Sequence, residues 1–147
     1  MGLFVPRRLN HKTVGERSEA IIIAKLLEVG YSVLTPFGEN ERYDLVIEDA
    51  DGNFFRIQCK TGWRENEGAY IVFATSSMYY RVKDGRAGHG RKDYRGQIDY
   101  FAVYSPDTKK VYLVPIDHVG KATAYLRLVA TANNQKKGVR WAQDYEL

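Results

Sequence analysis

A single cysteine, Cys59, stands among 147 residues, which excludes an internal disulfide and the paired cysteines of a zinc site. No run approaches the ~18 consecutive apolar residues of a membrane span, and Met1 to Lys12 lacks the apolar core of a secretory leader. These absences predict a soluble, cytoplasmic protein with no membrane partner. His11, His89 and His118 are isolated, so none forms a spaced metal-binding pair. The glycines between residues 85 and 96 do not fit the G-x-x-x-x-G-K-[ST] pattern of a nucleotide-binding loop. With 13 glycines, 4 prolines and no repeat, collagen and low-complexity chains are excluded as well. What is present, 44% hydrophobic and 27% charged residues, suits one domain with a packed core.

The net charge of +4 is modest but unevenly placed. Arg7, Arg8 and Lys12 give the first twelve residues +3, and Arg81 to Gln97 carries +4 through Arg81, Lys83, Arg86, Arg91, Lys92 and Arg95 against Asp84 and Asp93. The remainder must then sum to −3. A slightly acidic body with two basic, glycine-interrupted, mobile appendages suits a protein that meets a polyphosphate, the alternative being solvated surface charge. Residues 1–12 read as a basic arm and 13–147 as one domain.

Thr13-Val-Gly-Glu16 has the form of a capping box. It predicts a helix from there to about Val29, stopped by Gly30, with Val14, Ile21, Ala24, Leu27 or Ile22, Leu26, Val29 as the buried stripe. Tyr31 to Thr35 reads as a strand ended by Pro36, and Phe37 to Arg42 as a loop. Tyr43 to Glu48 and Asn53 to Thr61 read as a hairpin. A three-residue loop, Ala50-Asp51-Gly52, with Gly52 left-handed, sets 47 opposite 55, 45 opposite 57 and 44 opposite 58. Leu45, Ile47, Phe55, Ile57 and Cys59 then share one face, and Asp44, Val46, Phe54, Arg56, Gln58 and Lys60 the other. Ala69 to Thr75 is expected as a third strand of that sheet, followed by the basic segment as a loop. Ile98 to Ser105 and Lys110 to Pro115 should form a second hairpin, Ala122 to Ala130 an edge strand, and Val139 to Tyr145 a final short helix. The fold class is α/β, a central mixed sheet flanked by helices.

Asp44, with Gln58 and Lys60 fourteen and sixteen positions later, carries the chemistry. A carboxylate binds a hard cation such as Mg²⁺, a neutral carbonyl oxygen adds a ligand, and a nearby lysine stabilises hydroxide or phosphorane charge. The backbone carbonyl of Cys59, between Gln58 and Lys60, is a further oxygen ligand. Glu16 and Glu19 lie on one helix face and either could reach this site, although Glu16 reads first as a cap. The Cys59 side chain reads as a small buried hydrophobe. Tyr79, Tyr80 and Tyr94, beside basic residues, either pack against sugars and exposed bases or cover the core.

At these residues the chain resembles the PD-(D/E)XK nuclease superfamily, and more closely its group I intron-associated branch, in which glutamine replaces the second acidic residue. The resemblance rests on Gly15-Glu-Arg-Ser-Glu19, Pro36-Phe-Gly, Tyr43-Asp-Leu-Val, Arg56-Ile-Gln-Cys-Lys-Thr61, Ile98-Asp-Tyr-Phe-Ala-Val-Tyr104, Val111-Tyr-Leu-Val-Pro115 and Asn134-Gln-Lys-Lys-Gly-Val-Arg-Trp-Ala142. It covers nearly the whole chain from Thr13 onward. It implies a restriction-endonuclease-like core and a Mg²⁺-dependent DNA endonuclease of homing or restriction type, with Mn²⁺ as a substitute cation. The partners implied are double-stranded DNA and copies of the chain itself, as a homodimer or homotetramer. Asp44 takes the metal-ligand position, Gln58 the usual acidic one, Lys60 that of the catalytic lysine and Glu19 that of the supporting helix carboxylate. Arg7, Arg8, Lys12, Arg81, Lys83, Arg86, Arg91, Lys92 and Arg95 are the expected DNA contacts. A structure-selective enzyme of the Holliday junction resolvase kind and a catalytically inactive DNA-binding protein are the alternatives.

Overall fold

The structure is a computed structural model that describes residues 4–147. Its one α-helix among the described residues, α1 (His11–Val29), starts earlier than the Thr13 signal suggests. Asn10 is the cap. Its backbone is extended, and its side-chain oxygen accepts the Thr13 N–H at 2.9 Å and the Thr13 hydroxyl at 3.0 Å. The expected Thr13–Glu16 capping box is therefore not formed, because an asparagine three residues upstream already serves the exposed donor. Lys12 consequently sits in the first helical turn, while Arg7 and Arg8 lie exposed in irregular chain. Met1 to Leu3 of the expected arm fall outside the described residues. Ile22 and Leu26 are fully buried, whereas Val29 of the same stripe and Leu27 of the alternative stripe are about half exposed.

After α1 come β1 (Ser32–Leu34), β2 (Leu45–Glu48), β3 (Phe54–Thr61), β4 (Trp63–Glu65), β5 (Tyr70–Ala74), β6 (Ser76–Lys83), β7 (Arg86–Asp93), β8 (Tyr100–Ser105), β9 (Lys110–Pro115) and β10 (Thr123–Arg127). The β2–β3 hairpin has the expected register, Leu45 opposite Ile57 and Ile47 opposite Phe55. Gly52 sits at φ 79°, and the Asp49 carboxylate accepts the N–H groups of Asp51 and Asn53 across the turn. The central sheet has the order β1-β2-β3-β8-β9, with β3 and β8 parallel and the other pairs antiparallel. Strand β8 is buried along both faces from Phe101 to Ser105, as a parallel strand in mid-sheet should be.

One face of this sheet is covered by α1, whose Ile22 and Leu26 pack with Leu45, Ile47, Ile57, Ala102 and Tyr104. The other face corrects two expectations. β5 does not join the central sheet; it forms a separate three-stranded sheet, β10-β5-β4. This sheet, rather than a second helix, supplies Ile71, Phe73, Ala124 and Leu126 against Phe101, Val103, Tyr112 and Val114. The expected C-terminal helix is reduced to a 3-10 turn at Ala142–Asp144. No helix among the described residues is long and apolar enough to cross a membrane.

The basic segment is not a loop. β6 and β7 pair along eight residues each and form a two-stranded arm ~26 Å long. Asp84 (φ 52°) and Gly85 (φ 71°) turn it, and two successive left-handed residues match the twist of a tight hairpin.

Candidate active site

The β2–β3 ladder stops at Leu45 and Ile57, so the expected 44–58 pair is not part of it. One step further the chain improvises. The Asp44 N–H bonds the Ile57 carbonyl at 2.8 Å, and the Asp44 carboxylate accepts the Cys59 N–H at 2.8 Å, in the place a strand carbonyl would have taken. Since N–H and C=O of one strand residue point to the same edge, the Cys59 carbonyl also faces this gap, while β8 occupies the opposite edge of β3. Asp44 thus stands at a strand edge opened toward solvent, with one carboxylate oxygen beyond the Cys59 bond.

Glu19 comes to the same place from α1. The preceding residue, Ser18, is buried and its hydroxyl meets the Thr61 hydroxyl at 2.6 Å, which pins this turn of the helix to the end of β3. Glu19 and Asp44 line one cleft of about 390 Å³. Glu39 and Glu41 line it as well, and sequence reasoning passed over both. Burial first, then the charges of Asp44 and Glu16, raise the Glu19 carboxyl above its usual range. Burial also raises Asp44, against the Cys59 N–H bond and the Lys60 charge, which pull it down. The Cys59 thiol is pushed up by burial and then by Asp44 and Glu19, so it stays protonated and non-nucleophilic. Glu16 is exposed at the surface.

Gln58 and Lys60 project to the other side of β3, as their pairing with Phe101 and Val103 of the second core requires. The Gln58 amide has no side-chain hydrogen-bond partner among the described residues. Lys60 is half-buried, and its Nζ donates to the Tyr94 hydroxyl at 3.2 Å. Lys60 and Asp44 feel each other's charge across the strand end, so the four residues singled out in the sequence converge around the end of β3 from two sides. Among the described residues no three His, Cys, Asp or Glu side chains cluster as a metal site. The donors at the cleft are of another kind, two carboxylates and the Cys59 carbonyl that faces the same gap, all hard oxygens, which fit Mg²⁺ better than a softer metal.

A family model for PD-(D/E)XK endonucleases matches residues 9–147. The chain belongs to the PD-(D/E)XK endonuclease family. The solved structure of a bacterial homing endonuclease, I-Ssp6803I, is similar to it at 25% identity with a TM-score of 0.71, covering 94% of this chain and 89% of that one. No curated protein matched the sequence.

Within this PD-(D/E)XK nuclease the register of the arm sorts the expected DNA contacts. Ser77, Tyr79, Arg81 and Lys83 face Lys92, Gly90, Gly88 and Arg86, so one face is basic and carries two glycines, with the Tyr79 ring lying across Gly90. Met78, Tyr80 and Val82 face Arg91, His89 and Ala87, and this second face is largely apolar. Arg91 therefore parts from Arg81, Lys83, Arg86 and Lys92. Arg95 lies beyond the arm and donates to the Val119 carbonyl at 2.8 Å. Sequence reasoning missed Arg42, which binds the base of the arm through the Lys92 and Asp93 carbonyls, Ser77 and Gln97, and stacks 4.0 Å from the Tyr94 ring centre. The position of Arg42, two before Asp44, is its only signal in the sequence.

Proposed function

We propose that this nuclease is a metal-dependent endonuclease acting on double-stranded DNA, of the homing type named for its structural neighbour. The observation that carries this reading is the pair of carboxylates, Glu19 and Asp44, which line one cleft, where burial disfavours the ionisation of both and the Asp44 charge adds to the effect at Glu19. Neutral protein has little use for two such groups, whereas a divalent cation relieves both at once. Mg²⁺, or Mn²⁺ in its place, would be held by Asp44, Glu19, the Gln58 amide oxygen and the Cys59 carbonyl, and would supply Lewis acidity toward the phosphate and a more acidic water.

The chain's own residues do the rest. Lys60 places a positive charge beside the scissile phosphate and balances the charge that grows on its oxygens as the P–O bond breaks. The Cys59 N–H holds Asp44 in one rotamer. Arg81, Lys83, Arg86 and Lys92 neutralise backbone phosphates along the arm, and Arg7, Arg8 and Lys12 extend that contact at the start of α1. One site of this size cuts one strand, so a double-strand break calls for a homodimer or homotetramer.

A binding-only reading is favoured by one residue, Gln58, whose neutral amide leaves the site one negative charge short of the usual set. Incubation with supercoiled plasmid, linear duplex and a four-way junction, each with Mg²⁺ and with EDTA, separates the possibilities. Mg²⁺-dependent nicking or linearisation of duplex is the expected result. Cutting confined to the junction would indicate structure selectivity, and binding without cleavage on all three would overturn the enzymatic reading.

A further inference from the structure

Tyr94 joins the two halves of this molecule. It directly follows Asp93, the last residue of the arm's return strand, and it is 4% exposed. Its ring packs edge-on against Phe101 at 5.6 Å. Two cations share that ring: the Arg42 guanidinium at 4.0 Å from its centre and the Lys60 ammonium at 5.0 Å. The phenol oxygen meets Lys60 Nζ at 3.2 Å. Arg42, meanwhile, binds the backbone carbonyls of Lys92 and Asp93 at 3.2 and 2.9 Å, closing the foot of the arm against the loop that leads into Asp44. A lysine ammonium on a four-carbon stem is otherwise free to sample many rotamers. Here a buried phenol and an aromatic face restrict it.

We infer that Tyr94 is a positioning residue for Lys60, and that Arg42, by stacking on Tyr94 and gripping the foot of the arm, fixes the distance between the phosphate-binding arm and the hydrolytic centre. The inference rests on the assignment of Lys60 to that centre. In an active site built this way, DNA seated on the arm meets Lys60 already in register, because only one peptide bond separates the end of the arm from the residue that orients the lysine.

Tyr94→Phe removes the hydroxyl and leaves the ring's packing, so it separates positioning from structure. Single-turnover nicking of supercoiled plasmid with Mg²⁺ at saturating enzyme should slow about tenfold, while plasmid affinity and Tm stay at the wild-type values. Arg42→Lys keeps the charge but loses the planar stack and the fork of donors; it should slow nicking too, and should expose the arm to limited proteolysis at its foot. Wild-type nicking by Tyr94→Phe overturns the inference. Asp44→Ala, run alongside, tells which claim has failed. If it is inactive while Tyr94→Phe is fully active, only the role of Tyr94 falls, whereas an active Asp44→Ala removes the site itself. A second measurement needs no cleavage: reductive methylation of Lys60 with formaldehyde and cyanoborohydride as the hydride donor, read by mass spectrometry, should run several-fold faster in Tyr94→Phe than in wild type, with Lys136 as internal reference. Equal rates overturn the inference irrespective of any nuclease activity.

Discussion

The cleft and the arm are opposites in charge, burial and construction. The cleft gathers Glu19, Glu39, Glu41 and Asp44 where β2 leaves β3, close to where α1 and β3 are pinned by packing and by the Ser18–Thr61 bond. The arm projects Arg81, Lys83, Arg86 and Lys92 from a two-stranded ribbon that makes no sheet with the other described residues. On the proposed function a phosphodiester substrate uses both, since its anionic backbone is attracted over an extended surface and then brought to a spot where negative groups tolerate it only beside a cation. A net charge of +4 conceals this division. The lesson is that the sign of charge has to be read by region, because each region alone would repel or trap the substrate.

The sharpest way to break this comparison is at the cleft. Asp44→Ala should lower Mg²⁺-dependent cleavage by about a thousandfold or more while duplex affinity in EDTA stays near wild type; near-normal cutting would place the chemistry elsewhere. On the arm, replacing Arg81, Lys83, Arg86 and Lys92 with alanine should weaken duplex binding by about a hundredfold at moderate salt. It should also flatten the slope of log affinity against log salt by up to about 0.9 for each phosphate no longer neutralised. Arg91→Ala, from the apolar face of the same ribbon, should leave that slope nearly unchanged. Equal effects from the two faces would deny the arm its sidedness.

Smaller effects sharpen the picture. Gln58 has an amide free of side-chain partners among the described residues, so Gln58→Glu should fold normally and tighten Mg²⁺ binding by about tenfold through one added charge, measurable by calorimetry. Finally, burial raises the carboxyls of Asp44 and Glu19 in the folded state. A group so raised stabilises the fold fully below its unfolded pKa, and that contribution is lost as pH climbs through the folded value. At neutral pH without metal, both ionised carboxylates are therefore a burden. Asp44→Asn, which keeps an acceptor for the Cys59 N–H, should raise the Tm of metal-free protein by a few degrees at pH 7. The gain should shrink as pH falls toward 4, and a Tm unchanged at pH 7 would contradict the burial of this charge.

Much of the site could be read from local signals. The β2–β3 register follows from Gly52 and the alternation on either side of it, and it places Gln58 and Lys60 together without tertiary information. The departure of Asp44 from the ladder could not be read, because it depends on where β2 leaves β3 rather than on the side-chain pattern. Asp84-Gly85 is as strong a hairpin signal as any in the chain, yet its flanks are so rich in arginine, lysine and glycine that they resemble a loop. The apolar run of β5 reads the same in either sheet; what assigns it to the second is its pairing with β10, some fifty residues later. Asn10 outcompeted Thr13 as a cap for a local reason that spacing alone does not reveal. Tyr94 stood out beside the basic residues and does cover the core, but its link to Lys60, like the whole role of Arg42, was out of reach, since these hydrogen-bond partners lie 34 to 55 positions away.

The parallel pairing of β3 with β8 has a consequence during synthesis. The β2–β3 hairpin can form as soon as it leaves the ribosome, but its other edge is completed only by Tyr100 to Ser105. At about 5–20 residues per second, that edge, flanked by the apolar Ile57, waits for several seconds with its backbone donors and acceptors unpaired. In that interval Lys60 also lacks Tyr94, and the arm has not been made. A nascent chain thus carries its acidic residues well before it carries the basic arm, and the two are held in place only when the strand that protects the sheet from aggregation has been delivered.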